Sequence, residues 1–127
     1  MLVVAAAAAL MPERGTASTS TVPLIGPVRI LDGDTLDVTG TRIRLADIDA
    51  PELFSPQCDS ELRLAQRARQ RLADLVGTGT GITLSGTGVD RYGRDLRIVS
   101  RAGVSLGATL VAEGLARPWD GARHPWC

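Results

Sequence analysis

Residues 28–45, VRILDGDTLDVTGTRIRL, contain the alternation of side chains that decides the fold. Apolar and polar residues alternate on both sides of Thr39-Gly40, and a second turn signal lies at Asp32-Gly33-Asp34. Alternation around glycine-containing turns predicts antiparallel strands with one buried face. Pro51 ends the pattern, because proline cannot donate to a strand ladder. The expected strands are Val28–Leu31, Thr35–Val38 and Arg42–Ala46.

The remainder of the chain adds helices and two further strands. Apolar residues recur at helical spacing over Ser60–Val76, which Asp59 or Ser60 would cap and Gly77 would end. Strands are expected at Ile82–Ser85 and Leu96–Ser100, and a second, shorter helix at Val104–Leu115. About five strands with one main helix predict a mainly β (β+α) fold, a small β-barrel with helices at its ends.

The N-terminal segment differs from this domain. Leu2–Met11 is an uncharged apolar run followed by a Ser/Thr/Gly-rich stretch, a pattern typical of a secretory signal, but it is shorter than the ~20 residues of a membrane span. We therefore expect residues 1–27 to be a signal or anchor segment with a linker, and residues 28–127 to be the domain. Export to the periplasm or medium is favoured, whereas translation from Met11 would give a cytoplasmic protein.

Composition excludes several functional classes. The 127 residues contain 14 basic side chains, all arginine, and 14 acidic ones. A P-loop or Schiff-base enzyme needs lysine, and one histidine with two cysteines cannot form a His/Cys zinc cluster. Four aromatic residues argue against a module that stacks many bases, and zero net charge gives no general attraction to nucleic acid. Any phosphate site must therefore be local.

Five charged residues near turns and strand ends have complementary chemistry. They fall in three segments, residues 32–35, 44–52 and 90–94, and each segment alone has an ordinary explanation as a turn or loop. Together, the carboxylates of Asp34 and Asp49 suit calcium, and the guanidinium groups of Arg44 and Arg94 suit a phosphate. Glu52 could accept a proton from an attacking water. These are the components needed for in-line displacement at phosphorus.

Four motifs in this order carry a family resemblance: ILDGDTLDV (30–38), RIRLADIDAPE (42–52), DRYGRDL (90–96) and LVAEGLARP (110–118). The sequence resembles the staphylococcal (micrococcal) nuclease-like, or thermonuclease, family. The resemblance implies an OB-type five-stranded barrel with helices, and Ca²⁺-dependent cleavage of DNA and RNA that typically leaves 3′-phosphate ends. It also implies a nucleic-acid substrate, for which we expect single-stranded DNA or RNA, and we expect a monomer with no protein partner.

The resemblance also transfers roles to individual residues. They are the metal ligands Asp34, Asp49 and the backbone carbonyl of Ala50; the catalytic residues Arg44, Glu52 and Arg94; the acid Asp32 beside the metal site; and the nucleotide-contacting Tyr92. Whether the glutamate is the general base or mainly orders water near the metal stays open.

The chain also departs from the family pattern. Residues 53–58, LFSPQC, carry no cation where the family archetype is rich in lysine, and we expect the archetype's third, C-terminal helix to be absent. Trp119 is a candidate to replace aromatic nucleotide contacts, whereas His124 and Trp126 are interpreted as packing or surface residues. Cys58 and Cys127 are candidates for a disulfide in an exported protein and for free thiols in a cytoplasmic one.

The departures support an alternative function. Neutral charge, few aromatic residues and a missing helix would suit a non-catalytic OB-type module that binds nucleic acid or protein. The presence of all five charged residues of the set favours the nuclease.

Overall fold

The structure, a computed structural model, describes residues 20–127 as a mixed β+α fold. The predicted β+α class with one main helix and a second, shorter one is confirmed, and the sheet is mainly antiparallel. In chain order the elements are β1 (Thr21–Pro23), β2 (Val28–Asp32), β3 (Thr35–Val38), β4 (Thr41–Leu45), β5 (Ile48–Asp49), α1 (Asp59–Val76), β6 (Ile82–Ser85), β7 (Asp95–Arg101), β8 (Val104–Ser105), α2 (Leu106–Ala112) and β9 (Arg117–Pro118).

Seven strands form the main sheet. Its hydrogen-bonded path is β1-β6-β7-β4-β3-β2, and β8 pairs with β7. All pairings are antiparallel except that of β4 with β7, in which Ile43 lies opposite Asp95 and Arg44 opposite Leu96. The terminal strands β1 and β2 are not paired with each other, so no closed barrel is detected within residues 20–127. The parallel pairing matters for the site, because it brings Arg94, just before β7, close to Thr35 of β3 and to Arg44 of β4.

The core lies between the sheet and the two helices. Helix α1 turns one apolar face inward, and its small residues Ala65 and Ala68 are fully buried. Leu72 of α1 and Leu110 of α2 complete the helical side of the core. The strands contribute a set of buried aliphatic side chains: Leu36, Val38, Ile43, Leu45, Ile48, Ile82 and Val99.

Helix α2 begins two residues later than the sequence pattern predicts. Val104 and Ser105 instead pair with the end of β7 in a hairpin, opposite Arg101 and Ser100. The Ser105 hydroxyl accepts a hydrogen bond from Ala108 N (3.1 Å), so it caps the helix. A strong local cap and a short hairpin therefore override the helical periodicity that extends back to Val104.

Two short strand pairings have no counterpart among the predicted elements. Strand β5 pairs with β9, with Asp49 opposite Arg117, and each strand has only two residues. Strand β1, within the range 1–27 that the sequence pattern assigns to the N-terminal segment, pairs with β6 and precedes the buried Leu24. The domain boundary itself stays a prediction, and the apolar run Leu2–Met11 lies outside the described residues. No helix among residues 20–127 has the length and apolarity that spanning a bilayer requires.

A disulfide joins Cys58, at the N-terminus of α1, to Cys127. Residues 119–127 form no helix or strand. The bridge fastens this tail, residues 119–127, beside the loop that follows Glu52.

We predict that Gly33→Ala destabilises the protein by about 1–3 kcal/mol, the usual cost of overpacking a core. An added Cβ would lie 2.8 Å from the Ala68 Cβ and 3.1 Å from the Ala50 Cβ, so the turn before Asp34 would have to move away from α1. Urea denaturation of Gly33→Ala, Ala68→Gly and the double variant tests this contact. Independent, additive effects of the two substitutions would contradict it.

Candidate active site

The two aspartates predicted as metal ligands lie in different elements, a turn and a strand, and both are buried beside Arg44. Asp34, in the turn between β2 and β3, accepts hydrogen bonds from Thr35 Oγ1 (3.0 Å) and from the backbone N–H of Ala50 (3.2 Å). Asp49 ends β5 and is 3% exposed. The bond to Ala50 fastens the turn to the end of β5, so the two carboxylates are held in one place.

Arg44 is the cation of this buried group. Its Nη1 donates to the carbonyls of Leu45 (2.6 Å) and Ile48 (3.0 Å), which fixes the guanidinium. Its Nη2 lies 3.5 Å from Asp34 Oδ2 and 3.9 Å from Asp49 Oδ1. Strand alternation predicts a polar outward side chain here, yet Arg44 is only 8% exposed. The carboxylates on that face surround it, and one side of the guanidinium faces the Trp119 ring at 5.3 Å.

Arg94 is positioned by its own loop. Asp90 accepts from Arg94 Nε (2.7 Å) and, through its other oxygen, from the backbone N–H groups of Arg94 and Tyr92 (both 2.9 Å). These bonds lower the pKa of Asp90 against the opposing effect of burial. The guanidinium lies 5.4 Å from the Tyr92 ring, and Nη1 reaches Thr35 Oγ1 at 3.4 Å. The loop thus presents Arg94 and Tyr92 together toward β3.

Glu52 is held by a buried acid that the sequence pattern did not identify as functional. Glu61, in the first turn of α1, is 3% exposed and accepts hydrogen bonds from the backbone N–H groups of Glu52 (2.9 Å) and Gln57 (2.8 Å). It therefore fixes both ends of the loop that carries Glu52. Helical spacing could have identified Glu61 as a buried acid, since it lies on the apolar face of α1 with Ala65 and Ala68.

Arg123 is the second residue that sequence reasoning missed. Its Nη2 lies 3.3 Å from Asp49 Oδ1 and forms an ion pair with Glu52 Oε1. These carboxylates raise the pKa of Arg123, although burial acts in the opposite direction. Nothing in the spacing of residues 119–127 indicated this position, because it depends on the disulfide and on β9.

Burial raises the pKa of Asp49, and the charge of Asp34 acts in the same direction. Arg123 and Arg44 oppose the shift, as does the side chain of Trp126. The Asp49 Oδ1 atom is buried without a directed hydrogen bond, and so is the nearby Trp126 Nε1. Asp49 therefore presents a buried oxygen that a cation could still bind.

One cleft of about 630 Å³ collects most of the candidate residues. Asp49 is buried and contacts two residues of its lining, Arg44 and Arg123, and Ala50 follows Asp49 in the chain. The cleft is lined by Asp32, Asp34, Arg42, Arg44, Glu52, Phe54, Tyr92, Arg94 and Arg123. The disulfide of Cys58 and Cys127 is not part of this lining, so its relation to the site is through the loop and the tail.

The donors present fit calcium better than a metal that prefers nitrogen or sulfur. No three His, Cys, Asp or Glu side chains between Ser20 and Cys127 converge closely enough to form a metal site by themselves. Asp34 and Asp49 supply hard oxygen atoms, one of them buried without a directed hydrogen bond. Calcium accepts such a set completed by a backbone carbonyl and waters, whereas structural zinc needs four nitrogen or sulfur ligands.

Comparison with known proteins is consistent with this geometry. The model of the family described as staphylococcal nuclease homologue matches residues 42–124. The chain belongs to this family. The matched segment contains Arg44, Asp49, Glu52 and Arg94, whereas Asp34 precedes it. The resemblance stated from the four motifs is therefore confirmed.

Individual relatives include two whose names describe nucleases. The chain is 42% identical over 102 residues to the micrococcal nuclease of Shigella flexneri (70% of this chain, 54% of the relative). It is 33% identical over 102 residues to an uncharacterized endonuclease of Haemophilus influenzae (76% and 53%), and 30% identical over 98 residues to the succinoglycan biosynthesis protein ExoI of Rhizobium meliloti (74% and 51%). The chain thus spans about half the length of these relatives.

We predict that Glu61→Ala lowers the free energy of unfolding by about 1–3 kcal/mol, because it leaves two backbone N–H groups of the Glu52 loop without their acceptor. Asp59→Ala is a matched control, since it removes an exposed acid from the same helical turn. Its cost should stay below about 1 kcal/mol. Equal urea denaturation midpoints for the two variants would argue against the buried role of Glu61.

Asp32 gives a pH prediction. Burial raises the pKa of Asp32 to about 7, and the charge of Asp34 and a hydrogen bond with its side chain act in the same direction, whereas the Asp34 backbone N–H and Thr35 oppose the shift. A raised pKa in the folded state means that its stabilisation is present below pH 3.8 and is lost as the pH rises toward 7. In chelator, the wild type should therefore lose more stability between pH 4 and 7 than Asp32→Asn.

Denaturation curves at several pH values measure this difference, and Asp74→Asn, at an exposed position on α1, serves as the control. Parallel pH profiles for wild type and Asp32→Asn would show that Asp32 does not titrate as described.

Proposed function

We propose that the protein is a Ca²⁺-dependent phosphodiesterase, an endonuclease that hydrolyses DNA, RNA or both. The observation that carries the proposal is the cleft lined by Asp34, Arg44, Glu52 and Arg94, in which Arg44 also contacts the buried Asp49. Membership of a family that includes micrococcal nuclease supports both the hydrolase and the calcium ion.

The residues divide the chemistry among themselves. Asp34, Asp49 and the Ala50 carbonyl would hold the calcium ion, which when bound supplies positive charge that offsets the growing charge on the phosphate oxygens. Arg44 and Arg94 each offer paired N–H donors to a phosphate, and neither loses its charge at physiological pH. Both guanidinium groups are fixed in advance, Arg44 by two carbonyls and Arg94 by Asp90.

Glu52 would orient the attacking water or accept its proton. The water oxygen forms a bond to phosphorus, and the bond from phosphorus to the 5′-oxygen breaks. The leaving oxygen takes up a proton, so the products are a 3′-phosphate and a 5′-hydroxyl. Family resemblance supports this choice of products.

Single-stranded DNA or RNA is the proposed substrate form. Tyr92 and Phe54 are highly exposed at the cleft, and Trp119 lies beside Arg44 in the neighbouring cavity. Exposed aromatic rings can stack on unpaired bases, which a duplex does not offer. The proposal also includes an OB-type arrangement for β2, β3, β4, β6 and β7, supported by their order in the sheet.

We further propose that the protein is exported and acts as a monomer, in the periplasm or outside the cell. The disulfide supports export, because such bonds persist in oxidising compartments. The apolar run Leu2–Met11 supports the same location.

The function is tested by release of fluorescence from labelled single-stranded DNA and RNA in Ca²⁺ and in excess chelator. We predict cleavage only with Ca²⁺, and a loss of rate of about 10³–10⁵ for Arg94→Ala, by analogy with transition-state arginines in phosphoryl transfer. Glu52→Gln should also be severely impaired. Arg67→Gln, on the exposed face of α1, is the control and should cleave like wild type.

Equal cleavage in chelator would refute the metal-dependent mechanism. Oligonucleotide binding without cleavage under any condition would favour the alternative, a non-catalytic OB-type binding module.

A further inference from the structure

The course of the tail over the site is set by several contacts. Arg117, on β9, donates to the carbonyls of His124 (3.3 Å) and Pro125 (3.0 Å), and its guanidinium lies 3.7 Å from the centre of the Trp126 ring. The disulfide then fixes Cys127 to the start of α1. Arg123 therefore lies between two anchored points, and its backbone position is restrained.

The Arg123 side chain lies where substrate and metal would meet. It borders the 630 Å³ cleft and also a second cavity of about 340 Å³ that contains Trp119. Three side chains that could bind a nucleotide line both spaces together with it: Arg44, Tyr92 and Arg94. Its side chain is 56% exposed, so it is accessible to a ligand entering from solvent.

In this structure Arg123 pairs with Asp49 and Glu52, to which the proposed reaction assigns the binding of calcium and the activation of water. Asp49 Oδ1, 3.3 Å from its Nη2, belongs to the proposed calcium site, and Glu52 would act on water. A divalent cation at Asp49 would repel the guanidinium and replace it as the counter-ion. A phosphate in the cleft would then offer the guanidinium a new anionic partner with two acceptor oxygens.

We propose that Arg123 is a third phosphate-binding arginine of the cleft and that the Cys58–Cys127 disulfide positions it there. This inference rests on the proposed nuclease function. Residues 53–58, which follow Glu52, carry no cation, whereas Arg123 of the tail places a guanidinium beside Glu52 and Arg94 places another near Thr35.

The central experiment compares wild type with Arg123→Gln in steady-state cleavage of single-stranded DNA at several salt concentrations. Loss of one charge-assisted phosphate contact should raise KM by roughly 10- to 100-fold and change kcat less. The logarithmic salt dependence of binding should become shallower by about 0.7, the contribution of one phosphate on a single strand. Arg123→Lys should have a KM between those of wild type and Arg123→Gln, because lysine restores the charge without the paired donors. Arg67→Gln, with the same change in net charge, should leave KM and the salt dependence unchanged.

A second comparison tests the disulfide. Cys58→Ser/Cys127→Ser should raise KM in the wild-type background, and should add little in the Arg123→Gln background, because both changes remove the same contact. Circular dichroism confirms that each variant is folded. If the bridge variant fails to fold, the Arg123 variants alone decide the phosphate contact, and reduction of folded wild type with dithiothreitol replaces the double substitution.

Other outcomes would overturn the inference. Unchanged KM and salt dependence in Arg123→Gln would exclude a phosphate contact. Faster cleavage together with a lower Ca²⁺ requirement would show that Arg123 blocks the metal site instead. An additive effect of the bridge removal in Arg123→Gln would separate the disulfide from Arg123.

Failure of the proposed function is a distinct result. If wild type cleaves neither DNA nor RNA, fluorescence anisotropy with a labelled single-stranded DNA in Ca²⁺ still measures the contact. Equal affinities of wild type and Arg123→Gln would then overturn it, and weaker binding by the variant would support it.

Discussion

The buried ion pairs between Arg44 and the two aspartates, Asp34 and Asp49, are the interaction on which the site depends. Charged groups out of water are costly unless they are paired and hydrogen-bonded, and removing one partner leaves the others uncompensated. The guanidinium of Arg44 also bonds to the carbonyls of Leu45 and Ile48, so a single side chain fixes β4, β5 and the turn after β2 relative to one another. The geometry of the candidate site and the packing of the strands around it therefore depend on the same contacts.

Sheet topology determines which other side chains lie near Arg44, Asp34 and Asp49. The parallel pairing of β4 with β7 brings Arg94 to Thr35, while the pairing of β5 with β9 directs the chain after Trp119 back toward Asp49. Neither contact is local in sequence. Helix α1 contributes from the opposite side, since Glu61 holds the loop that carries Glu52.

Local pattern predicted the larger elements well, because β2, β3, β4 and α1 have clear periodicity and turn residues. It misplaced the start of α2, where capping by Ser105 outweighed helical spacing, and it missed β5 and β9, which are too short to have a period. The family motifs located Asp34, Arg44 and Arg94 by resemblance. They could not locate Arg123, because its position follows from a disulfide between distant residues and not from neighbouring sequence.

These contacts show how the equal numbers of acidic and basic side chains are arranged at the site. Each arginine of the proposed phosphate site is held by acids of the same chain: Arg44 by Asp34 and Asp49, and Arg94 by Asp90. Arg123 likewise pairs with Asp49 and Glu52. Without metal, the cleft therefore offers little uncompensated positive charge. In the proposed mechanism, a calcium ion bound to Asp34 and Asp49 takes over their charge and leaves the guanidinium groups of Arg44 and Arg123 free to bind phosphate. Metal and substrate binding would then favour each other, and a chain with no lysine could bind a polyanion through its active site alone.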